Sequence, residues 1–307
     1  MARTGGVRGE PVMISVGASV RNLSAGWMCA ALLSIFSVAA QAATPTPAPE
    51  RMQRILSVGG AVTEIVYALD QEQRLIGSDI TSYFPAEAEN MPKVGYQRSL
   101  SAEGILALRP DAVLASEEAG PPTVLKQLKG AGTTWFTVPT AQDLEGVYAN
   151  IRQIGYLLGA ETRAEKLITD MQAQQQQLEQ EKAHDQRHAR VLFVLQHSGG
   201  APMVAGANTA ADRIIRLSGA VNALQGVEGY KPMTPESLAQ AQPDLILTTT
   251  LGMEQVGGVD AMRHIPGVSL TPAGRNEKIV AMDGLLLLGF GPRTVVAARQ
   301  LRQTWME

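Results

Sequence analysis

One stretch of this chain occurs twice. Residues 101–116 read SAEGILALRPDAVLAS and residues 234–249 read TPESLAQAQPDLILTT, so Ser101, Glu103, Pro110 and Asp111 recur as Thr234, Glu236, Pro243 and Asp244 at one constant offset. Each copy carries the same instructions: a hydroxyl residue suited to N-cap a helix, an acid at its second position facing the positive end of the macrodipole, then a short apolar stripe. The Pro-Asp pair stops the helix, because proline lacks a donor and biases the residue before it away from the helical region. The runs that follow, Ala112-Val113-Leu114-Ala115 and Leu245-Ile246-Leu247-Thr248, have the continuous apolar character of buried parallel strands. Two such helix-turn-strand units predict an α/β fold of two Rossmann-like lobes with a ligand cleft between them.

The front of the chain is a different kind of sequence. Arg3, Arg8 and Arg21 precede an apolar stretch from Trp27 to Ala40, and Ala40-Gln41-Ala42 fits an A-x-A cleavage site. Residues 1–42 therefore read as a secretory signal peptide, with Met13 as a candidate start, so the chain is expected to be exported. The apolar run is short for a membrane span and is followed by Pro45, Pro47 and Pro49 in a tether over residues 44–50. The sole cysteine, Cys29, lies inside the signal, where Gly26-Trp27-Met28 lacks the small residues of a lipoprotein signal, so the mature chain is expected to hold no thiol. Removing three arginines and one glutamate with the signal leaves 23 basic against 28 acidic residues, a formal charge of about −5 that gives no support for nucleic acid as partner.

Beyond the tether the pattern divides into an N-terminal lobe (43–140), an interlobe helix (141–188) and a C-terminal lobe (189–307). Ile55–Val58, Leu75–Gly77, Trp135–Val138, Val191–Leu195 and Ile279–Met282 read as strands, and Ala210–Leu217 and Arg293–Trp305 as helices. Residues 79–91 read as an irregular loop and 252–258 as a glycine-rich one. From Ala141 to about Ala183 there is no proline, and Leu144, Val147, Ile151, Ile154 and Leu158 recur at helical spacing, predicting a stiff strut that Gly155 and Gly159 bend or interrupt.

The chemistry concentrates in Val94-Gly95-Tyr96-Gln97-Arg98-Ser99-Leu100. If this segment is extended, residues two apart point the same way, so the Tyr96 phenol and the Arg98 guanidinium share a face at the mouth of a helix. A phenol titrates near ~10 in isolation, and a hard ferric ion beside a fixed cation favours its anion. Tyrosinate is a known axial ligand of haem iron. The same spacing is also met by an amphipathic surface tyrosine beside an ion-paired arginine.

The layout resembles the helical-backbone class of periplasmic substrate-binding proteins, which serve ABC importers of cobalamin, siderophores and haem. GYQRSLSAEGILALRPDAVLAS, with NTAADRIIRLSGAVNA and GYKPMTPESLAQAQPD, is similar to the haem-binding members from about Arg54 onward. The resemblance implies that Tyr96 is the tyrosinate coordinating ferric haem and Arg98 the arginine stabilising it. It also implies that Glu103 and Glu236 are paired acids docking onto arginines of an inner-membrane ABC permease with its ATPase, downstream of an outer-membrane receptor system. The acids also complement their helix dipoles, worth about 0.3 to 1 kcal/mol each. The implied protein is a monomeric carrier and not an enzyme, with haem as transported ligand.

Secondary candidates are His197 as a second haem-facing ligand, Tyr230 and Lys231 on the opposing wall, and Arg275 and Arg293 toward propionates. Met203, Met233 and Met253 could pad a porphyrin face or simply fill core. His184 and His188, in the charged stretch HDQRH, read as exposed, and Gly289-Phe290-Gly291 is a lone G-x-G without a phosphate-loop pattern. The alternatives are a ferric siderophore or cobalamin carrier of the same class, and a secreted α/β hydrolase, against which stands the lack of a G-x-S-x-G elbow or H-E-x-x-H pattern.

Overall fold

The computed structural model describes residues 52–185, 187–195, 203–232 and 234–307. The readings made for the signal peptide, the tether, Cys29, His197 and Met233 lie outside the described residues.

The N-terminal lobe runs β1 (Ile55–Val58), α1 (Gly60–Ala68), β2 (Leu75–Ser78), β3 (Gly95–Tyr96), β4 (Ser99–Leu100), α2 (Ala102–Ala107), β5 (Ala112–Ser116), α3 (Pro122–Gly130) and β6 (Thr134–Val138). Its sheet is parallel in the order β2-β1-β5-β6, and β3-β4 is a separate hairpin. Two helices follow, α4 (Leu144–Leu158) and α5 (Glu161–His184). The C-terminal lobe runs β7 (Arg190–Leu195), β8 (Met203–Ala205), α6 (Ala210–Leu217), β9 (Val221–Asn222), β10 (Tyr230–Pro232), α7 (Pro235–Ala241) and β11 (Leu245–Thr249). It continues through α8 (Thr250–Val256), α9 (Val259–Arg263), α10 (Pro272–Arg275), β12 (Ile279–Met282), α11 (Gly284–Leu288) and α12 (Thr294–Met306). Here β9-β7-β11-β12 is parallel and repeats the order of the first sheet, while β8 and β10 extend it antiparallel.

The sequence repeat is a structural one. Ser101 caps α2 through Gly104 N–H and Thr234 caps α7 in a capping box with Ser237. The residue before each proline, Arg109 and Gln242, is left-handed, at φ 49° and 42°. Each Asp then clips the first strand of its own lobe. Asp111 Oδ2 accepts from Arg54 N at 2.9 Å and its N–H donates to Arg54 O at 2.8 Å; Asp244 Oδ2 accepts from Arg190 N at 2.8 Å and its N–H donates to Arg190 O at 2.8 Å. The two arginines complete the match, reaching the last carbonyls of α2 and α7: Arg54 Nη2 to Leu108 O at 2.7 Å and Arg190 Nη2 to Ala241 O at 2.8 Å.

The strut is interrupted at one of its two glycines: Gly159 ends α4 in the left-handed conformation at φ 65°, and Gly155 gives α5 room to pack, since a Cβ there would stand 2.6 Å from Ala164 Cβ. The strut proper is α5, 24 residues and about 36 Å long. The expected glycine-rich loop over 252–258 is mostly helix α8, nucleated by Thr249 capping Gly252 N–H and ended by Gly257 at φ 95°.

One buried apolar cluster runs through both lobes, from Ile55, Ile65 and Leu114 through Tyr148, Ile154, Ile168 and Leu178 to Phe193, Ile214, Leu247 and Leu301. Arg302, 3% exposed, ties α12 to the end of α5 through the carbonyls of Glu181 and Asp185 at 3.1 and 2.9 Å. The lobes are thus fused along a common core on one side. Among the described residues, no helix is long and apolar enough to cross a membrane.

Candidate functional site

In an open α/β sheet, ligands bind beyond the carboxyl ends of the strands. The tight β3-β4 hairpin holds Tyr96 there. Gly95 lies at φ 98° and pairs with Leu100, Tyr96 pairs with Ser99, and Gln97-Arg98 form the turn. The condition of an extended segment is not met: the turn, rather than alternation along a strand, brings the two side chains together. Arg98 Nη1 donates to the Tyr96 phenol oxygen, and the Arg98 guanidinium lies 5.8 Å from the ring centroid. The hairpin is fastened to the loop after β5 by Gly120 N–H to Gln97 O and Leu100 N–H to Gly120 O, both 2.9 Å.

That loop contributes a residue the sequence reading missed. Glu118 Oε2 accepts from Arg98 Nη2 and, at 3.4 Å, from Gln97 Nε2. Tyr96, Arg98 and Glu118 form a chain of phenol, guanidinium and carboxylate. Beside Tyr96, the Ile80 N–H donates to Gly95 O at 2.9 Å, and the Ile80 side chain is 55% exposed; Tyr96 itself is 37% exposed. Leu251, just past the carboxyl end of β11, is 63% exposed. Large apolar groups left open at strand ends in both lobes are what an apolar ligand would cover.

On the C-terminal wall, Tyr230 pairs with Ala205 across β10-β8 and is half-buried, whereas Lys231 is exposed. Burial pushes the Tyr230 phenol pKa up; the Arg213 charge opposes that shift and the Glu118 carboxylate adds to it. Met203 and Met253 are partly buried, Met253 against the apolar cluster behind β11.

Arg293 is not available to a propionate. It crosses between lobes to Glu64 on α1, donating from Nε at 3.0 Å, Nη2 at 2.9 Å and its backbone N at 3.2 Å, and stacks 3.3 Å from the Phe84 ring centroid. Next to it the Tyr83 phenol accepts from Leu285 N–H at 2.7 Å; burial, and the nearby Asp283 carboxylate after it, hold the Tyr83 pKa up at about 12 against the lowering effect of the Leu285 bond. The loop over 79–91 thus supplies an interlobe brace, another feature the sequence reading missed. Arg275 Nη1 is engaged by Leu270 O at 2.6 Å.

Glu103 and Glu236 are exposed in the first turns of α2 and α7, and among the described residues neither carboxylate has a hydrogen-bond or ion-pair partner. His184 and His188 are exposed and separately engaged by Gln180 O and Gly219 O. No group of three or more His, Cys, Asp or Glu able to hold a bare metal ion occurs among the described residues.

The chain belongs to the periplasmic binding protein family, whose sequence pattern matches residues 55–285. Among solved structures it is similar to the periplasmic heme-binding protein BhuT in complex with two hemes, at 44% identity and a TM-score of 0.78 over 82% of this chain and 97% of that one. The periplasmic heme-binding protein RhuT from Roseiflexus sp. RS-1 in apo form matches at 38% identity and a TM-score of 0.80 over 83% and 98%. The vitamin B12-binding protein of Pectobacterium atrosepticum is 29% identical over 256 residues, 81% of this chain and 87% of its own.

Proposed function

We propose that this protein is a periplasmic carrier that takes ferric haem into the cleft between its lobes and delivers it to an ABC importer. The carrying observation is Tyr96: an exposed phenol at the carboxyl edge of the N-terminal sheet whose oxygen already receives a hydrogen bond from a guanidinium. Ferric iron takes the phenolate, and Arg98 offsets the negative charge left on that oxygen. Ile80 and Leu251 supply apolar surface for the porphyrin, at about 2.5 kcal/mol for each 100 Å² covered. Tyr230 and Lys231 furnish the facing wall.

Support for haem over the sibling cargoes comes from two sides. The structures BhuT and RhuT, both heme-binding by name, share 44% and 38% of residues with this chain, against 29% for the vitamin B12-binding relative. The Tyr96–Arg98 pair also offers one direct metal ligand rather than the several basic or aromatic groups a charged siderophore complex requires. Residues 1–42 direct export. Glu103 and Glu236, unpartnered and exposed on equivalent helices, dock on the permease. The reading assigns no catalytic residue and no turnover.

The test is a spectral titration of the purified mature protein with haemin, with cyanocobalamin and a ferric siderophore as comparators. Haemin should bind with a ferric haem–tyrosinate spectrum. Tyr96→Phe should lose that spectrum and at least about tenfold in affinity, or ~1.4 kcal/mol. A Tyr96→Phe protein with unaltered spectrum and affinity removes the iron-ligand assignment.

A further inference from the structure

We infer that Glu118 is a positioning residue for haem capture: its carboxylate holds the Arg98 guanidinium in the one orientation from which Nη1 donates to the Tyr96 phenol oxygen. The inference rests on the haem reading above and deepens it. Arg98 is a long side chain at the tip of a two-residue turn, with 51% of its side-chain surface exposed. Left alone it would sample many rotamers, and only a few aim at the phenol. Glu118 removes that freedom by taking Nη2 while Nη1 is on Tyr96, so the planar guanidinium is fixed at two of its corners.

The carboxylate can do this because its own backbone is fixed. Glu117 N–H donates to Val138 O at 2.8 Å, Glu118 N–H to Ser116 Oγ at 3.2 Å, and Ala119 N–H to Ser116 O at 2.9 Å. The Gly120 bonds to the hairpin complete the frame, so both ends of the carboxylate-guanidinium-phenol chain stand on one rigid support. The Gln97 amide, 3.4 Å from the same Oε2, further orients the acid. Because Glu118 is itself 40% exposed, the ion pair contributes little to folding in the open cleft. A porphyrin laid over it excludes water and strengthens it, so its effect appears in the loaded state.

The experiment is haemin titration of Glu118→Ala, Glu118→Gln, Arg98→Ala and the double variant Glu118→Ala/Arg98→Ala, with the visible spectrum and thermal midpoint of each. Glu118→Ala should weaken haemin binding about tenfold and alter the ferric haem–tyrosinate spectrum toward that of Arg98→Ala, with the apo midpoint within about 2 °C of wild type. Glu118→Gln keeps an acceptor for Nη2 and should restore the wild-type spectrum. The double variant should be no weaker than Arg98→Ala alone, as expected when one residue acts only through the other. Wild-type binding and spectrum in Glu118→Ala overturn the inference, as does equal weakening by that substitution with and without Arg98, or a Gln variant as defective as Ala. Failure of the haem reading shows differently: wild type and Tyr96→Phe would then respond to haemin alike.

Discussion

Breaking the Glu64–Arg293 contact should cost more than breaking any exposed ion pair in the molecule. The Glu64 side chain is 5% exposed and that of Arg293 23%, whereas Lys166 and Asp170, an ordinary helix pair, are 76% and 56% exposed. An exposed pair is worth about 0 to 1 kcal/mol, because water solvates each partner equally well when the other is gone. Arg293→Ala strands a carboxylate that has almost no access to water and removes the cation from the Phe84 ring. The expected loss is about 3 to 5 kcal/mol for the stranded charge, with up to ~1 kcal/mol for the ring contact. Glu64→Ala leaves a guanidinium that keeps some solvent contact, so its cost belongs near ~3 kcal/mol, the lower end of that range. Urea unfolding followed by circular dichroism measures both. The double substitution Glu64→Leu/Arg293→Met, which replaces the pair with apolar groups of similar length, should recover most of the loss, since the penalty comes from an unpaired buried charge. If either single variant costs less than about 1 kcal/mol, or if the double variant costs the sum of the two, the claim that burial sets the strength of this brace is wrong.

Three other perturbations test the rest of the fold and the site. Asp111→Ala and Asp244→Ala should each lower stability by about 1 to 2 kcal/mol in a urea melt, and by similar amounts, because each frees the matching strand amide in its lobe. The folded-state pKa of Tyr83, about 12, lies above its ordinary 10.0, so its contribution is fully present below pH 10 and is lost as pH rises toward 12; Tyr83→Phe should flatten that part of the stability-against-pH curve. Glu103→Lys and Glu236→Lys should leave haemin affinity unchanged and reduce haem-dependent growth of a strain relying on this importer, since both acids are exposed and outside the cleft chain of Tyr96, Arg98 and Glu118.

The repeat made most of the architecture legible. A capped helix, a Pro-Asp stop and a buried strand are local instructions, and the sheets carry them out with β5 and β11 in equivalent central places. What the repeat hid was the partner of each aspartate: Arg54 and Arg190 lie far upstream in sequence, and only strand pairing brings them beside Asp111 and Asp244. The Tyr96–Arg98 pair is legible in the sequence, but its geometry is not that of one extended strand, because Gln97-Arg98 form a turn that folds the segment into a hairpin. Glu118 was invisible because it follows β5 in a short acidic run, Glu117-Glu118, that carries no spacing signal. Arg293, named only as a candidate for propionates, has its partner Glu64 inside an apolar helix pattern far upstream, and only the fold brings that buried acid against it.

The residues proposed for cargo and for docking lie on the same short segment in each lobe. The β3-β4 hairpin carrying Tyr96 runs directly into α2 and Glu103, and β10 carrying Tyr230 leads within a few residues to α7 and Glu236. Lobes fused through one apolar cluster and braced by Glu64–Arg293 cannot open by a wide hinge without exposing buried core. Small displacements of α2 and α7 are far less costly, since each is a short helix held by a cap at one end and an aspartate clip at the other. On the proposed reading, a partner that grips the two acids acts, through a few residues of backbone, on Tyr96 in one lobe and Tyr230 in the other. On that reading the duplicated unit serves both purposes, since its helix start presents an exposed carboxylate and the chain just before it carries a tyrosine.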